Sequence, residues 1–113
     1  MIIQKKSKKF AVRIIRFYNY LKERNQHTLG SQILRSGTSI GANLAEAGNA
    51  QSDRDFLLKI NIALKECSET KYWLEILYES DTIDKMVFDS IYPDCVELEK
   101  LLTSTVKTTK AKL

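Results

Sequence analysis

Residues 52–80, SDRDFLLKINIALKECSETKYWLEILYES, decide the fold of this chain. Phe56, Ile60, Ala63, Cys67, Thr70, Leu74 and Leu77 are separated alternately by four and three residues. That spacing is a heptad repeat, the seam of a helix that packs left-handedly against other helices. Ser52 is placed to cap its start, with Asp53 and Asp55 in the first turn. At ~1.5 Å per residue a helix over 53–80 spans about 40 Å. A helix so long needs partners along its whole seam. One proline and four glycines are too few for the many turns of a β-sandwich. The class is therefore all-α.

The same helix carries a second apolar stripe. Leu58, Ile62, Trp73 and Ile76 lie off the seam with Glu69 among them, and Tyr72 and Tyr78 add aromatic surface. One four-helix core does not need both stripes. Either the core-facing stripe is unusually wide, or Leu58, Ile62, Tyr72, Trp73 and Ile76 form a partner surface, where exposed apolar and aromatic side chains gather. We expect the latter, and hence a homo-oligomer.

Upstream, residues 31–48, SQILRSGTSIGANLAEAG, have a helical pattern but are rich in small residues. Leu29, Ile33, Ile40, Leu44 and Ala47 recur at helical spacing, with Ser36 and Gly37 between them. Gly37 and Gly41 each cost about 1 kcal/mol against alanine inside a helix. Such residues suit a place where another backbone comes close. Gln32, Arg35, Ser39, Asn43 and Glu46 form a polar stripe on another face. That stripe either satisfies neighbouring helices or is a binding site. In the first case Arg35 pairs with Glu66 or Glu69, and Glu46 with Arg54 or a capped backbone. Thr28 is the expected N-cap and Gly48 the expected stop.

The first helix is expected over about 7–24, with Phe10, Ile14, Phe17 and Leu21 as its seam. Ala11, Ile15 and Tyr18 widen the seam on one side. The fourth is expected over about 83–106, with Phe88, Ile91, Cys95, Leu98, Leu102 and Thr105 as its seam and Asp81 or Thr82 as its cap. Pro93 should kink or split it near Tyr92. With the others over 29–47 and 53–80, this gives a single domain, residues 1–113. Short connections make it an antiparallel up-down-up-down four-helix bundle.

The net charge is +4, and its distribution is uneven. Lys5, Lys6, Lys8, Lys9, Arg13 and Arg16 crowd the start of helix one. Residues 100–113 hold four lysines and no acid, whereas acids dominate residues 52–84. The cluster at 5–16 is either a solvated terminus or a phosphate-contacting patch for nucleic acid.

Catalytic chemistry lacks its parts. The single histidine, His27, falls in a connection, so neither a di-iron site nor a histidine-activated nucleophile is set up. There is no phosphate-cradling GxxxxGK[ST] loop. Glu66 and Glu69 interleave with Lys65 and Lys71, a salt-bridged face rather than a metal site. No catalytic residue, metal or cofactor is expected. Cys67 and Cys95 lie on apolar faces of different helices and are expected as buried free thiols. No run has the length of a signal peptide's apolar core or of a membrane span, so we expect a cytoplasmic protein with no membrane partner.

RSGTSIGANLAEA at 35–47, followed by SDRDFLLKINIALKECSETKYWLEIL at 52–77, resembles the four helix bundle protein family, also called the 23S rRNA intervening-sequence protein family. The resemblance runs from about Phe10 to Val106. It is most specific at Ser39, Asn43, Ala45 and Glu46 and at Ala63, Leu64, Lys65 and Glu66. It implies genes lying within intervening sequences of bacterial large-subunit rRNA genes, with no enzymatic activity established. It also implies antiparallel bundles that assemble into pentameric barrels with basic surfaces. A related branch serves as accessory protein to the reverse transcriptase of diversity-generating retroelements. The expected function is thus non-enzymatic, a homopentamer binding RNA or DNA through its basic surface. The alternative is an adaptor that docks a protein such as a reverse transcriptase.

Overall fold

The computed structural model describes all 113 residues. Four helices and no strands make up the chain: α1 (Ile2–Glu23), α2 (His27–Ala47), α3 (Asp53–Glu79) and α4 (Lys85–Lys110). They form an antiparallel bundle measuring 45 × 20 × 19 Å. Each helix packs on the next in the chain. α1 and α4 close the ring more loosely, and the backbones of the diagonal pairs stay apart.

The core is one cluster of twenty buried residues. It contains the expected seams almost intact: Phe10, Ile14, Phe17 and Leu21 from α1, Ile33, Ile40, Leu44 and Ala47 from α2, and Ile60 to Leu77 from α3. Phe56, Phe88 and Thr105 lie at its margin, half-buried. Ile15 is a correction: it is 47% exposed and does not widen the core. Tyr18 is half-buried. No buried side-chain nitrogen or oxygen lacks a hydrogen-bond partner. The buried hydroxyls of Thr70 and Ser36 meet across α2 and α3 at 2.8 Å.

Several boundaries differ from expectation, each for a local reason. α1 starts at Ile2 rather than Ser7 because Ile3 and Ser7 continue its buried stripe back by two turns. Gln4 Nε2 also ties that start to the Leu44 carbonyl of α2 at 2.9 Å. His27 is the first residue of α2, not a loop residue, and Gln26 rather than Thr28 precedes the helix, without a side-chain cap. Ser52 caps α3 as expected, accepting from the Asp55 N–H. α4 starts at Lys85 because Asp84, not Asp81 or Thr82, accepts from the Val87 N–H. Ile83 remains in the turn as a buried plug. Pro93 does not split α4, which runs unbroken to Lys110. Its ring faces solvent, while Ile91 and Cys95 pack into the core on either side of it. Tyr78, Phe88 and Tyr92 stack in series at 4.4 and 4.5 Å and clip α3 to α4 over that stretch.

α1 and α3 both end in a Schellman arrangement. Asn25 and Gln26 donate to the Lys22 and Leu21 carbonyls, and Asp81 and Thr82 donate to those of Tyr78 and Leu77. The pivot in each is a left-handed residue, Asn25 or Asp81, with φ 61°. Glycine takes that conformation without a Cβ penalty. Asp81→Gly is therefore expected to raise stability by about 0.5–1 kcal/mol, and Asp81→Ala to lower it. Urea unfolding of the two variants checks the sign. Gly48, by contrast, ends α2 with an ordinary φ of −62°.

Candidate nucleic-acid interface and self-association face

The bundle brings the two ends of the chain together. Lys6 reaches Glu97 at 2.9 Å and Arg13 reaches Asp94 at 2.7 Å, so α1 and α4 run antiparallel side by side. The first turns of α1 and the last turns of α4 therefore share one end of the rod. Lys5, Lys8 and Lys9 stand exposed there with Lys107, Lys110 and Lys112. Antiparallel neighbours cancel one another's macrodipoles, so the positive potential of this end comes from side chains. Glu46, Asp53 and Asp55 at the same end belong to the α2–α3 side, and Glu97 of α4 is taken up by Lys6.

The six basic residues of α1 divide into two kinds. Lys6 and Arg13 are half-buried and engaged by α4, Arg13 also donating to Ser90. Lys5, Lys8, Lys9 and Arg16 are exposed and pair with no carboxylate. Between α1 and α4 lies an open cleft of about 890 Å³. Phe10, Phe17, Val87 and Ile91 form its floor, and Lys9 and Arg16 stand on its rim. Sequence reasoning missed this cleft, because periodicity says which face of a helix is apolar but not how closely two helices approach. It also missed that the α4 lysines join those of α1, since only the topology sets them at one end.

The polar stripe of α2 makes interhelical ties and local bonds. Arg35 donates to Glu66 at 3.0 Å and also to Glu69. Ser39 Oγ donates to the Arg35 carbonyl at 2.6 Å, and Asn43 Nδ2 to the Ser39 carbonyl at 2.8 Å. Glu46 pairs with Lys59 at 3.2 Å rather than with Arg54, because Lys59 is the cation of α3 that lies level with it. The indole N–H of Trp73 and then Arg35 hold the Glu69 carboxyl below its ordinary range. The Glu69 contact in turn raises the Arg35 guanidinium further. None of the five stripe residues lines the cleft between α1 and α4.

On the outer face of α3, Leu58 and Tyr72 are more than half exposed, and Ile62, Trp73 and Ile76 are half-buried. Trp73 packs edge to face with Tyr72 at 5.5 Å between ring centres and donates to Glu69 at 2.9 Å. α1 carries a smaller exposed apolar pair, Val12 and Ile15, among Lys8, Arg16 and Lys22. Because α1 and α3 are diagonal, these two faces look out on opposite sides of the bundle.

No three or more His, Cys, Asp or Glu side chains come together as a metal-binding group. No helix is long and apolar enough to cross a membrane. No curated protein matches the chain. A crystal structure of a Bacteroides thetaiotaomicron protein of unknown function, from the S23 ribosomal protein family, is 50% identical and superposes with a TM-score of 0.90. The match covers 93% of this chain and 98% of that one. The family model for 23S rRNA-intervening sequence protein matches residues 1–104. With the bundle, the helix-two stripe and the long heptad helix all in place, the chain belongs to the 23S rRNA-intervening sequence protein family.

Proposed function

We propose that this protein is a non-enzymatic, cytoplasmic homo-oligomer that binds RNA through the basic end of its bundle. The observation that carries this reading is the meeting of Lys5, Lys8 and Lys9 with Lys107, Lys110 and Lys112 at one end. Unpaired lysines on short spacings attract phosphates of any sequence, and their binding weakens steeply with salt. The family's link to rRNA intervening sequences favours RNA over DNA as the polyanion.

The two apolar faces support the self-association part of this reading. A basic-rimmed face on α1 and an aromatic face on α3, on opposite sides, suit a head-to-tail contact between copies. Such a heterologous contact closes into a ring when the rotation allows. The pentamer implied by the family resemblance is one such ring. A ring would present several basic ends together and so multiply a weak patch. A second reading, an adaptor for a protein such as a reverse transcriptase, draws on the same α3 face. It predicts a stoichiometric protein partner that survives nuclease treatment.

The test is a titration of labelled single-stranded RNA at 50 and 200 mM salt. Affinity should fall by about tenfold or more between the two. Lys5→Glu, Lys9→Glu and Lys107→Glu combined should weaken low-salt binding by a further factor of about 10–100 and flatten the salt slope. Absence of binding at low salt would overturn the RNA reading. Light scattering after size exclusion, at low and high salt, tests the assembly.

A further inference from the structure

The fold points the two cysteines at each other. Cys67 on α3 and Cys95 on α4 are both fully buried, with their sulfurs 4.0 Å apart. Each sulfur also lies against the other residue's backbone carbonyl, at 3.5 and 3.6 Å. This reciprocal contact means that the two helices approach closely at this level. Glu99 of α4 holds the register just beside it, taking Lys71 at 3.1 Å and Ser68 at 3.3 Å. A disulfide needs about 2.05 Å between sulfurs, so the pair must close by about 2 Å.

We propose that Cys67 and Cys95 form an intrachain disulfide under peroxide, fastening α3 to α4. The deprotonated sulfur of one cysteine attacks a peroxide oxygen, the O–O bond breaks, and a sulfenic acid and water result. The second sulfur, losing its proton, attacks the sulfenic sulfur. The S–S bond forms as the S–O bond breaks, and the hydroxyl leaves with that proton as water. One hydrogen peroxide accepts both electrons, so two thiols become one disulfide and two waters are released.

The fold also sets the speed. Contact with the Cys67 thiol, and then burial, hold the Cys95 thiol well above its ordinary range. Thiolate forms only when the site opens. Pro93, two residues before Cys95, leaves the Asp89 carbonyl without its helical donor. α4 also packs closely on α3 alone, with the open cleft on its other side. Opening therefore starts beside Cys95. The pair ignores a brief pulse of oxidant and closes under a sustained one.

The full-length protein treated with hydrogen peroxide tests this. Peroxide also turns the exposed Met1 and Met86 into sulfoxides, each adding about 16 Da. At each step of that ladder the intact mass should lie about 2 Da lower, the two hydrogens lost. Trypsin should release peptides 66–71 and 86–100 as a linked pair that separates on reduction. The thermal midpoint should rise by about 5–15 °C and return when reductant is added. Both thiols remaining free, under exposure that oxidises the urea-unfolded chain, would overturn the proposal. So would sulfinic acids without the linked peptide, or linkage only between chains on a denaturing gel. A linked pair with an unchanged midpoint would overturn the fastening. The Cys95→Ser variant should lose the link, and the peptide map of the unmodified sequence stands without it should that variant fail to fold.

Discussion

Gly37→Val is expected to destabilise the bundle by about 3 kcal/mol or more. A Cβ built at Gly37 would lie 2.8 Å from Ile14 Cγ1 and 2.9 Å from Cγ2. Those carbons sit next to the branch point of a fully buried side chain on α1, not at its mobile tip. Ile14 cannot swing away without displacing the core around it. Alanine at this position gains about 1 kcal/mol of helix propensity and meets a clash costing about 1–3 kcal/mol. Gly37→Ala therefore loses at most about 2 kcal/mol. Valine adds two more carbons in the same space and gives up most of the propensity gain. Urea unfolding should show the midpoint dropping in the order Gly, Ala, Val with an unchanged slope. Ile14→Ala in the Gly37→Val background should recover part of the loss, a coupling that additive variants would disprove. Gly41 makes the contrast. Its Cβ would come no closer than 3.4 Å to the Ser7 backbone, so Gly41→Ala should be neutral or mildly stabilising.

Leu74→Ala should cost about 3–5 kcal/mol. Leu74 is fully buried in the second half of α3, the helix that packs closely on both α2 and α4. Truncation leaves a cavity walled by rigid helices, which collapse poorly around it. With a thermal midpoint shift of roughly 4–8 °C per kcal/mol for a domain near this size, the variant should melt at least 10 °C lower. Leu58→Ala on the same helix removes the same atoms from a side chain that is 56% exposed. Within one chain it should cost less than about 0.5 kcal/mol. Any larger effect should appear in the solution mass, because Leu58 lies on the proposed contact between copies. A Leu58→Ala protein that keeps its assembly while Leu74→Ala unfolds would remove Leu58 from that interface.

The architecture was legible because heptad spacing survives folding almost unchanged. Ile60, Ala63, Cys67, Thr70, Leu74 and Leu77 are all buried. Helix ends were less legible. The left-handed pivots are Asn25 and Asp81, and neither announces itself as glycine would. The first turns of α1 were hidden by charge: Lys5, Lys6, Lys8 and Lys9 read as a loose terminus, although Ile3 and Ser7 carry the buried stripe between them. Ile15 misled in the other direction, since an apolar residue at the edge of a seam has no label saying which way it turns. At the site, the pairing of Arg35 with Glu66 and Glu69 was foreseeable from their levels on adjacent helices. The gathering of the α1 and α4 lysines was not, because it depends on which helices are neighbours and in which direction they run. The facing of Cys67 and Cys95 needed the relative slide of α3 and α4, which no single-helix pattern contains.

The way each helix leans chiefly on its successor bears on how the molecule forms. Nearly every close contact joins segments that are consecutive in the chain, so little loop entropy has to be overcome before packing begins. Contacts of such short sequence range go with folding in microseconds to milliseconds. On the ribosome, α1 and α2 can pair while α3 is still being made, and each later helix adds to a surface already waiting for it. Only the meeting of α1 with α4 requires the whole chain, and that meeting is the lightest in the bundle. Synthesis and folding can therefore proceed in step from the first hairpin onward, with α4 the last piece to dock.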